Sequence, residues 1–429
     1  MTTVRGLPAA LVIGCGRGGL AAVRSLGRRR VEVWVAGPEA GPPAASRYAR
    51  GYLATPSPLT DPGAFVDALC ELAPAFENRA VLIPTDDVCV ELLAEHHAAL
   101  AAAYRLLGPP PAVARAIVDK AVQYAIVARA GIPLPRTWVV DAPGAAQRIA
   151  AEACFPLIVK PRFSQRFFLA RRIKALTAHT PLELAVTLDA LPEGMLVQER
   201  VEGRLENGYE YSSFVDASGH VAAGLVLRKL DSHPRPFGNT TAVETVHAPA
   251  VEALGRDVLR AFGYRGISQS EFKLDPRSGA FRFIEINPRI VNNTAIEHAA
   301  GADTVYPAYA EAAGLPVERA TPRPARTVWL CPELRLPYSG ALLPPRKLPE
   351  SLGGPTRYVT DLFVAHDPGP LCRKASIAAR TRARRVGRRL RLALVRVLGL
   401  TARPGATTPP RGGRRPPAAG SGCGTAPGP

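Results

Sequence analysis

No apolar run in this chain is long enough to cross a bilayer, so the sequence holds no candidate membrane-spanning helix. Its seven cysteines are scattered and include no C-x-x-C pair, so they form neither a metal knuckle nor a disulfide framework. An odd number of such thiols suits a reducing compartment, and the expected location is the cytoplasm. There is no internal repeat. No Ser-His-Asp or Cys-His grouping offers a side-chain nucleophile. Beyond Asp367 the acidic residues stop altogether, while fourteen lysines and arginines lie between Arg373 and Arg415. The formal net charge of +18 therefore belongs mostly to a tail, and the rest of the chain carries about +4, an ordinary balance.

What is present begins with a β-turn-α-β unit. An apolar strand, Ala10–Ile13, leads into Gly14-Cys15-Gly16-Arg17-Gly18-Gly19, a helix over Leu20–Leu26 and a strand over Val31–Val35. The short apolar start thus reads as a strand rather than a signal peptide. The glycines let backbone amides approach an anion at a helix N-terminus. A dinucleotide site usually has an acid ending the second strand. Here Ala36-Gly37-Pro38 stands there and the nearest acid is Glu39. An NAD-dependent oxidoreductase is therefore carried only as the alternative. A second strand signal, Ala80–Ile83, ends in Pro84-Thr85-Asp86-Asp87 before a helix over Val88–His97. Thr85 or Asp86 is expected to cap that helix, leaving Asp87 to face a substrate amine.

The stretch Gly266–Arg289 is the most informative. Two β-forming runs, Ser268–Leu274 and Phe281–Ile286, flank Pro-Arg-Ser-Gly and predict a hairpin. If Asp275 pairs with Phe281, Glu271 falls opposite Glu285, and Asn287 shares their face. Phe272, Leu274, Ile284 and Ile286 then face a core. Opposed carboxylates repel, and a hard cation between them removes the repulsion. Glu271, Glu285 and Asn287 are all oxygen ligands, which suits Mg²⁺. Upstream, Leu157-Ile158-Val159-Lys160-Pro161 brings a lysine out of an apolar strand, where it needs an anion.

Glu271 followed by Glu285-Ile286-Asn287-Pro288-Arg289 resembles the metal-binding end of the ATP-grasp ligases. Residues 110–315 carry the resemblance well, and the opening unit carries it more loosely. It implies an α/β and α+β chain: a Rossmann-like pre-ATP-grasp domain over 1–110 and a two-lobed ATP-grasp domain over 111–315. An extension packed on the body would follow over 316–370, then a basic helix and disordered tail over 371–429. It implies ATP with Mg²⁺, or Mn²⁺ in its place, held by Glu271, Glu285 and Asn287. Arg289 would steady the transferred phosphate. Lys120, in Asp119-Lys120 before Gly131-Ile132-Pro133, and Lys160 would contact nucleotide phosphates. Gln198, Glu199 and Val201 would form the adenine hinge, through the Glu199 carbonyl and the Val201 amide. Glu206 or Glu210 would take the ribose. Arg228 and Lys229 would clamp the γ-phosphate or substrate from a loop. The loop Arg162–Phe168 departs from the family by lacking a glycine-rich flap; Arg166, Arg171 or Arg172 would stand in as cations.

The activity implied is ligation of a carboxylate to an amine through an acyl phosphate, releasing ADP and phosphate, as in the carboxylate–amine ligase branch. Small-molecule substrates and a homodimer are expected, with specificity in the loops 231–240 and 290–297. In the tail, Val386, Leu390, Leu394 (or Val397) and Leu398 make an apolar stripe among arginines, so residues 377–400 predict either reversible attachment to an anionic inner-membrane surface or a helix that docks its stripe on the protein's own body. Nucleic acid is disfavoured there, because no aromatic residues interleave the arginines. An inactive scaffold that binds membrane or RNA is the remaining alternative.

Overall fold

The computed structural model describes residues 6–142, 144–171, 173–191, 194–235, 237–339 and 351–382, with backbone alone for 165–166, 169–170 and 336–339. Two compact units divide the chain, Met1–Ala375 and Ser376–Pro429. In the second, residues 376–382 are helical. The stripe from Val386 to Leu398, Arg172 and the Arg166 side chain lie outside what is described.

The first sheet is parallel throughout, in the order β3-β2-β1-β4-β5: β1 Ala10–Ile13, β2 Val33–Gly37, β3 Gly51–Ala54, β4 Val81–Pro84 and β5 Arg105–Leu106. Its central strands are apolar without alternation because both faces are covered. Ala10 and Val12 enter one core while Leu11 and Ile13 enter another. The glycine turn at the end of β1 closes on protein rather than on open space. A Cβ at Gly14, where φ is +111°, would meet Thr85 Oγ1 at 2.2 Å. One at Gly18 would meet the carbonyls of Ile290 and Val291 at 3.0 and 3.1 Å. The glycines are spent on packing this turn against β4 and the segment after Arg289.

A four-stranded antiparallel sheet follows, in the order β6-β9-β7-β8: β6 Thr137–Val140, β7 Leu157–Pro161, β8 Leu176–Ala178 and β9 Met195–Glu199. The helices Ala145–Glu152 and Pro181–Asp189 cover one face, where Leu157, Val159, Met195 and Val197 are buried. Period-2 alternation sends Lys160 and Gln198 to the other face. The glycine-free stretch that replaces the flap becomes a helix, Ser164–Arg171.

The largest sheet has seven strands, in the order β14-β13-β10-β11-β12-β15-β16. These are β10 Gly208–Val215, β11 Val221–His233, β12 Asn239–Thr245, β13 Gly266–Leu274, β14 Phe281–Asn287, β15 Thr327–Leu330 and β16 Arg357–Thr360. The Pro-rich segment after residue 316 thus adds two strands to this sheet. β11 is longer than the sequence suggests. It runs through Arg228 and Lys229 to His233 and pairs with β12, so residues 231–233 and 239–240 are strand ends rather than a free loop.

Candidate active site

The β13–β14 hairpin carries the expected carboxylate pair, but by a different route. Leu274 pairs with Phe281, one residue off the expected register. A β-bulge at Ile284 then restores it, so Glu271 does face Glu285. The bulge also changes the core. Phe283 is fully buried in place of Ile284, which is only half-buried.

The ladder extends the pair into a row. Glu210 on β10 lies directly opposite Glu271, so Glu285, Glu271 and Glu210 stand side by side across three adjacent strands. Neighbouring strands are about 4.8 Å apart, so three like charges in a row are costly without cations. Two lysines supply them. Lys120, at the start of the helix Lys120–Arg129, bonds Glu285. Lys229, on β11, bonds Glu271 Oε2 at 2.5 Å and lies 3.5 Å from Glu210 Oε1. The Lys120 ammonium sits first of all on the Glu285 carboxyl, and holds it down at about 2. Burial pushes both ammonium groups down, yet Glu285 and Glu271 outweigh it and keep each above its ordinary range. Burial raises the Glu210 carboxyl. Among the described residues, no three His, Cys, Asp or Glu side chains close on one point. A hard cation here would rest on Glu271, Glu285 and the Asn287 amide, an all-oxygen set that fits Mg²⁺.

Lys160 has found neutral partners. Its Nζ donates to Tyr124 Oη at 2.5 Å and to Gln198 Oε1 at 2.7 Å, and lies 4.7 Å from the Tyr124 ring centroid. Tyr124 in turn donates to the Ile284 carbonyl at 2.6 Å. The carbonyl of the bulged residue is therefore tied to the lysine through one hydroxyl. Gln198 donates to Thr137 Oγ1 at 2.8 Å. Its side chain is buried beside Lys160.

Glu199, Arg200 and Val201 line a cavity of about 590 Å³, together with Tyr124, Thr137 and Leu196. The Glu199 amide donates to the Arg136 carbonyl at 2.9 Å, and its carboxylate accepts from the Cys154 amide at 3.1 Å. The Val201 carbonyl accepts from Lys273 Nζ at 2.8 Å. Glu206 sits half-buried in the turn Leu205–Asn207, while Glu210 belongs to the carboxylate row rather than a ribose contact.

Arg228 requires a correction. It and Lys229 lie on a strand, so they point to opposite faces. Arg228 is buried against Glu244, with Nη2–Oε1 at 2.6 Å, and Arg326 shares the same carboxylate at 2.6 Å. It is part of a core ion network and not a clamp. Arg289 forms a two-pronged pair with Asp87 at 2.5 and 3.1 Å, which the sequence reading did not anticipate, and donates to Asn287 Oδ1 at 3.4 Å. Asp86 caps the helix Asp87–Glu95 by accepting from the Cys89 amide at 2.8 Å, which frees Asp87 for Arg289.

Two groups were missed from sequence. Tyr124 read as an ordinary helix residue. Lys174, just past the helix Ser164–Arg171, donates to Asn239 Oδ1 at 2.6 Å. Burial lowers its ammonium, against the pull of Glu285 and Glu271. Neither lies in a motif, and only the fold brings them to the row. A third contact, Asn293 Nδ2 to Glu210 Oε2 at 2.6 Å, ties the turn after Arg289 to the same row.

Comparison with known proteins follows the same geometry. Residues 241–320, which hold Glu271 through Arg289, match the family described as carbamoyl-phosphate synthase L chain, ATP binding domain. The carbamoyl phosphate synthase large chain of Thermomicrobium roseum is 29% identical over 230 residues, 50% of this chain and 20% of that one. The chain thus spans about a fifth of that relative's length. A D-aspartate ligase of Enterococcus faecium is 23% identical over 227 residues, 49% of this chain and 53% of that one. A solved structure, the biotin carboxylase domain dimer of Hydrogenobacter thermophilus 2-oxoglutarate carboxylase with MgADP and bicarbonate, superposes with a TM-score of 0.60. Identity there is 17%, covering 76% of this chain and 74% of that one. The likeness to that structure extends over three quarters of this chain and shows that the two share a fold.

Proposed function

We propose that the chain is an ATP-dependent ligase that activates a carboxylate as an acyl phosphate and joins it to an amine, releasing ADP and phosphate. The observation that carries this reading is the row Glu285–Glu271–Glu210 faced by Lys120, Lys160 and Lys229. Phosphoryl transfer needs positioning and charge neutralisation rather than a side-chain nucleophile. Lysines folded onto carboxylates keep both sets of charges neutralised. Lys120, Lys160 and Lys229 would hold the phosphate oxygens of ATP, and Glu271, Glu285 and Asn287 would hold the cation. The cation, Mg²⁺ or Mn²⁺, supplies charge neutralisation across the phosphates. The Glu199–Val201 segment holds the adenine in its cavity. Arg289 releases Asp87, steadies the transferred group, and leaves Asp87 to the incoming amine. The MgADP in the Hydrogenobacter structure and the ligase activity named for the Enterococcus enzyme support an ATP-dependent ligase.

The test is ADP release measured against a matrix of amino acids and carboxylic acids, with mass detection of the product. Glu285→Gln is expected to abolish nearly all Mg²⁺-dependent ADP release while circular dichroism stays unchanged. Wild-type turnover in that folded variant would sink the metal assignment, and the absence of any ADP-forming pair would sink the ligase reading.

A further inference from the structure

A second cavity, about 630 Å³, lies away from the carboxylate row, between the helix Arg17–Arg28, the helix Ala295–Ala300 and β16. Its charge is one-sided. Asp303 is its one acidic lining residue, and Arg29 Nη1 at 2.8 Å and Ser25 Oγ at 2.7 Å already occupy it. Around the mouth stand Arg28, Arg323 and Arg357, all exposed, and none pairs with a carboxylate among the described residues. Arg323 Nη1 and Arg357 Nη1 both donate to one atom, the Ala299 carbonyl oxygen, at 3.3 Å each. The two donor nitrogens are therefore at most twice that distance apart. Arg28 Nη2 lies 3.4 Å from His366 Nε2, again a neighbour without negative charge. Each guanidinium has five N–H donors in a fork suited to phosphate, and these three leave most of theirs for a ligand. Tyr358 and Phe363 stand beside them at the mouth, 49% and 51% exposed, and present apolar rings.

We infer that this cavity is a second ligand site, separate from the nucleotide site, for a small phosphorylated molecule with an aromatic or apolar part. The phosphate would bridge Arg323 and Arg357, joining two like charges that the fold holds side by side. The ring would lie on Phe363 and Tyr358. The cavity also touches Thr294, in the turn whose neighbour Asn293 holds Glu210. Occupancy here would thus bear on the turn beside Arg289.

Calorimetry on the full chain with phenyl phosphate tests the site. Binding is expected in the wild type and in Lys160→Ala alike. Losing a charge-assisted hydrogen bond costs about 1.5–3 kcal/mol, so Arg357→Gln is expected to weaken binding about tenfold or more. Arg28→Gln, on the exposed rim, should weaken it too without disturbing the Ala299 carbonyl. Binding lost in Lys160→Ala but kept in both arginine variants would assign the ligand to the nucleotide site and overturn the inference. Binding unchanged in all three variants would assign it to the basic tail, and no binding in the wild type would overturn the inference outright.

Discussion

Tyr124 shows how much one hydroxyl can hold together. It accepts from Lys160, donates to the Ile284 carbonyl and presents its ring face to the same ammonium. A lysine on a strand facing an open cleft has many rotamers, and fixing one of them costs conformational entropy. Tyr124 meets that cost before any phosphate arrives. We count it a positioning residue, because it acts through Lys160. Tyr124→Phe is expected to raise the KM for ATP about tenfold, from the loss of one hydrogen bond to a charged group, with kcat much less affected. An equal fall in kcat with unchanged KM would mean that Tyr124 acts on the transition state instead. The same local view explains why Arg228 and Lys229 part company. Adjacent strand residues face opposite ways, and the buried Glu244 claims the arginine.

Among the elements, the β13–β14 hairpin depends on its bulge. Its turn sets Leu274 opposite Phe281, and a regular ladder from there would put Glu285 on the core face. The extra residue, Ile284, returns Glu285 to the side of Glu271 and leaves a carbonyl that Tyr124 satisfies. Deleting Ile284 makes the ladder regular and keeps Glu271 opposite Glu285. That variant is expected to retain Mg²⁺-dependent turnover and to copy the raised KM of Tyr124→Phe. Complete loss of turnover in a folded Ile284 deletion would show that the bulge shapes the site beyond the Tyr124 contact. The helix Ser164–Arg171 makes a related point. A stretch without glycine cannot serve as a glycine flap, and its residues form a helix whose far side delivers Lys174 to Asn239.

At the scale of the whole molecule, the three sheets meet through segments that carry buried charge. Glu297, on the helix Ala295–Ala300, is 2% exposed and hydrogen-bonded by Thr304. Burial pushes its carboxyl up to about 8. An unfolded glutamate titrates near 4.3, so between that pH and about 8 the native state keeps a proton that the unfolded chain has lost. Stability therefore falls as pH rises through that window and levels off above it. Glu297→Gln is expected to raise the thermal midpoint at pH 8 and leave it unchanged at pH 4. An equal shift at both values would mean that the substitution acts through packing. Asp361, pushed up to about 7 by burial beneath β15, adds to the same trend, so the slope should shrink in Glu297→Gln rather than vanish.

The sequence alone determined the parts that rest on local pattern. Apolar runs placed β1, β4 and β7, glycine marked the turn after β1, and two β-forming runs around Pro-Arg-Ser-Gly placed the β13–β14 hairpin. Those signals are short-range: a strand's period of two and a turn's glycine act within a few residues. Tertiary structure decided what depends on which strands become neighbours. Glu210 joined the carboxylate row only because β10 lies beside β13, and Lys229 reached Glu271 only because β11 lies beside β10. Gln198 became a partner of Lys160 because β9 pairs with β7. The register in the hairpin came out right through two displacements that cancel, a shifted turn and a bulge. No sequence period could report them, since each residue's own preference is the same in either register.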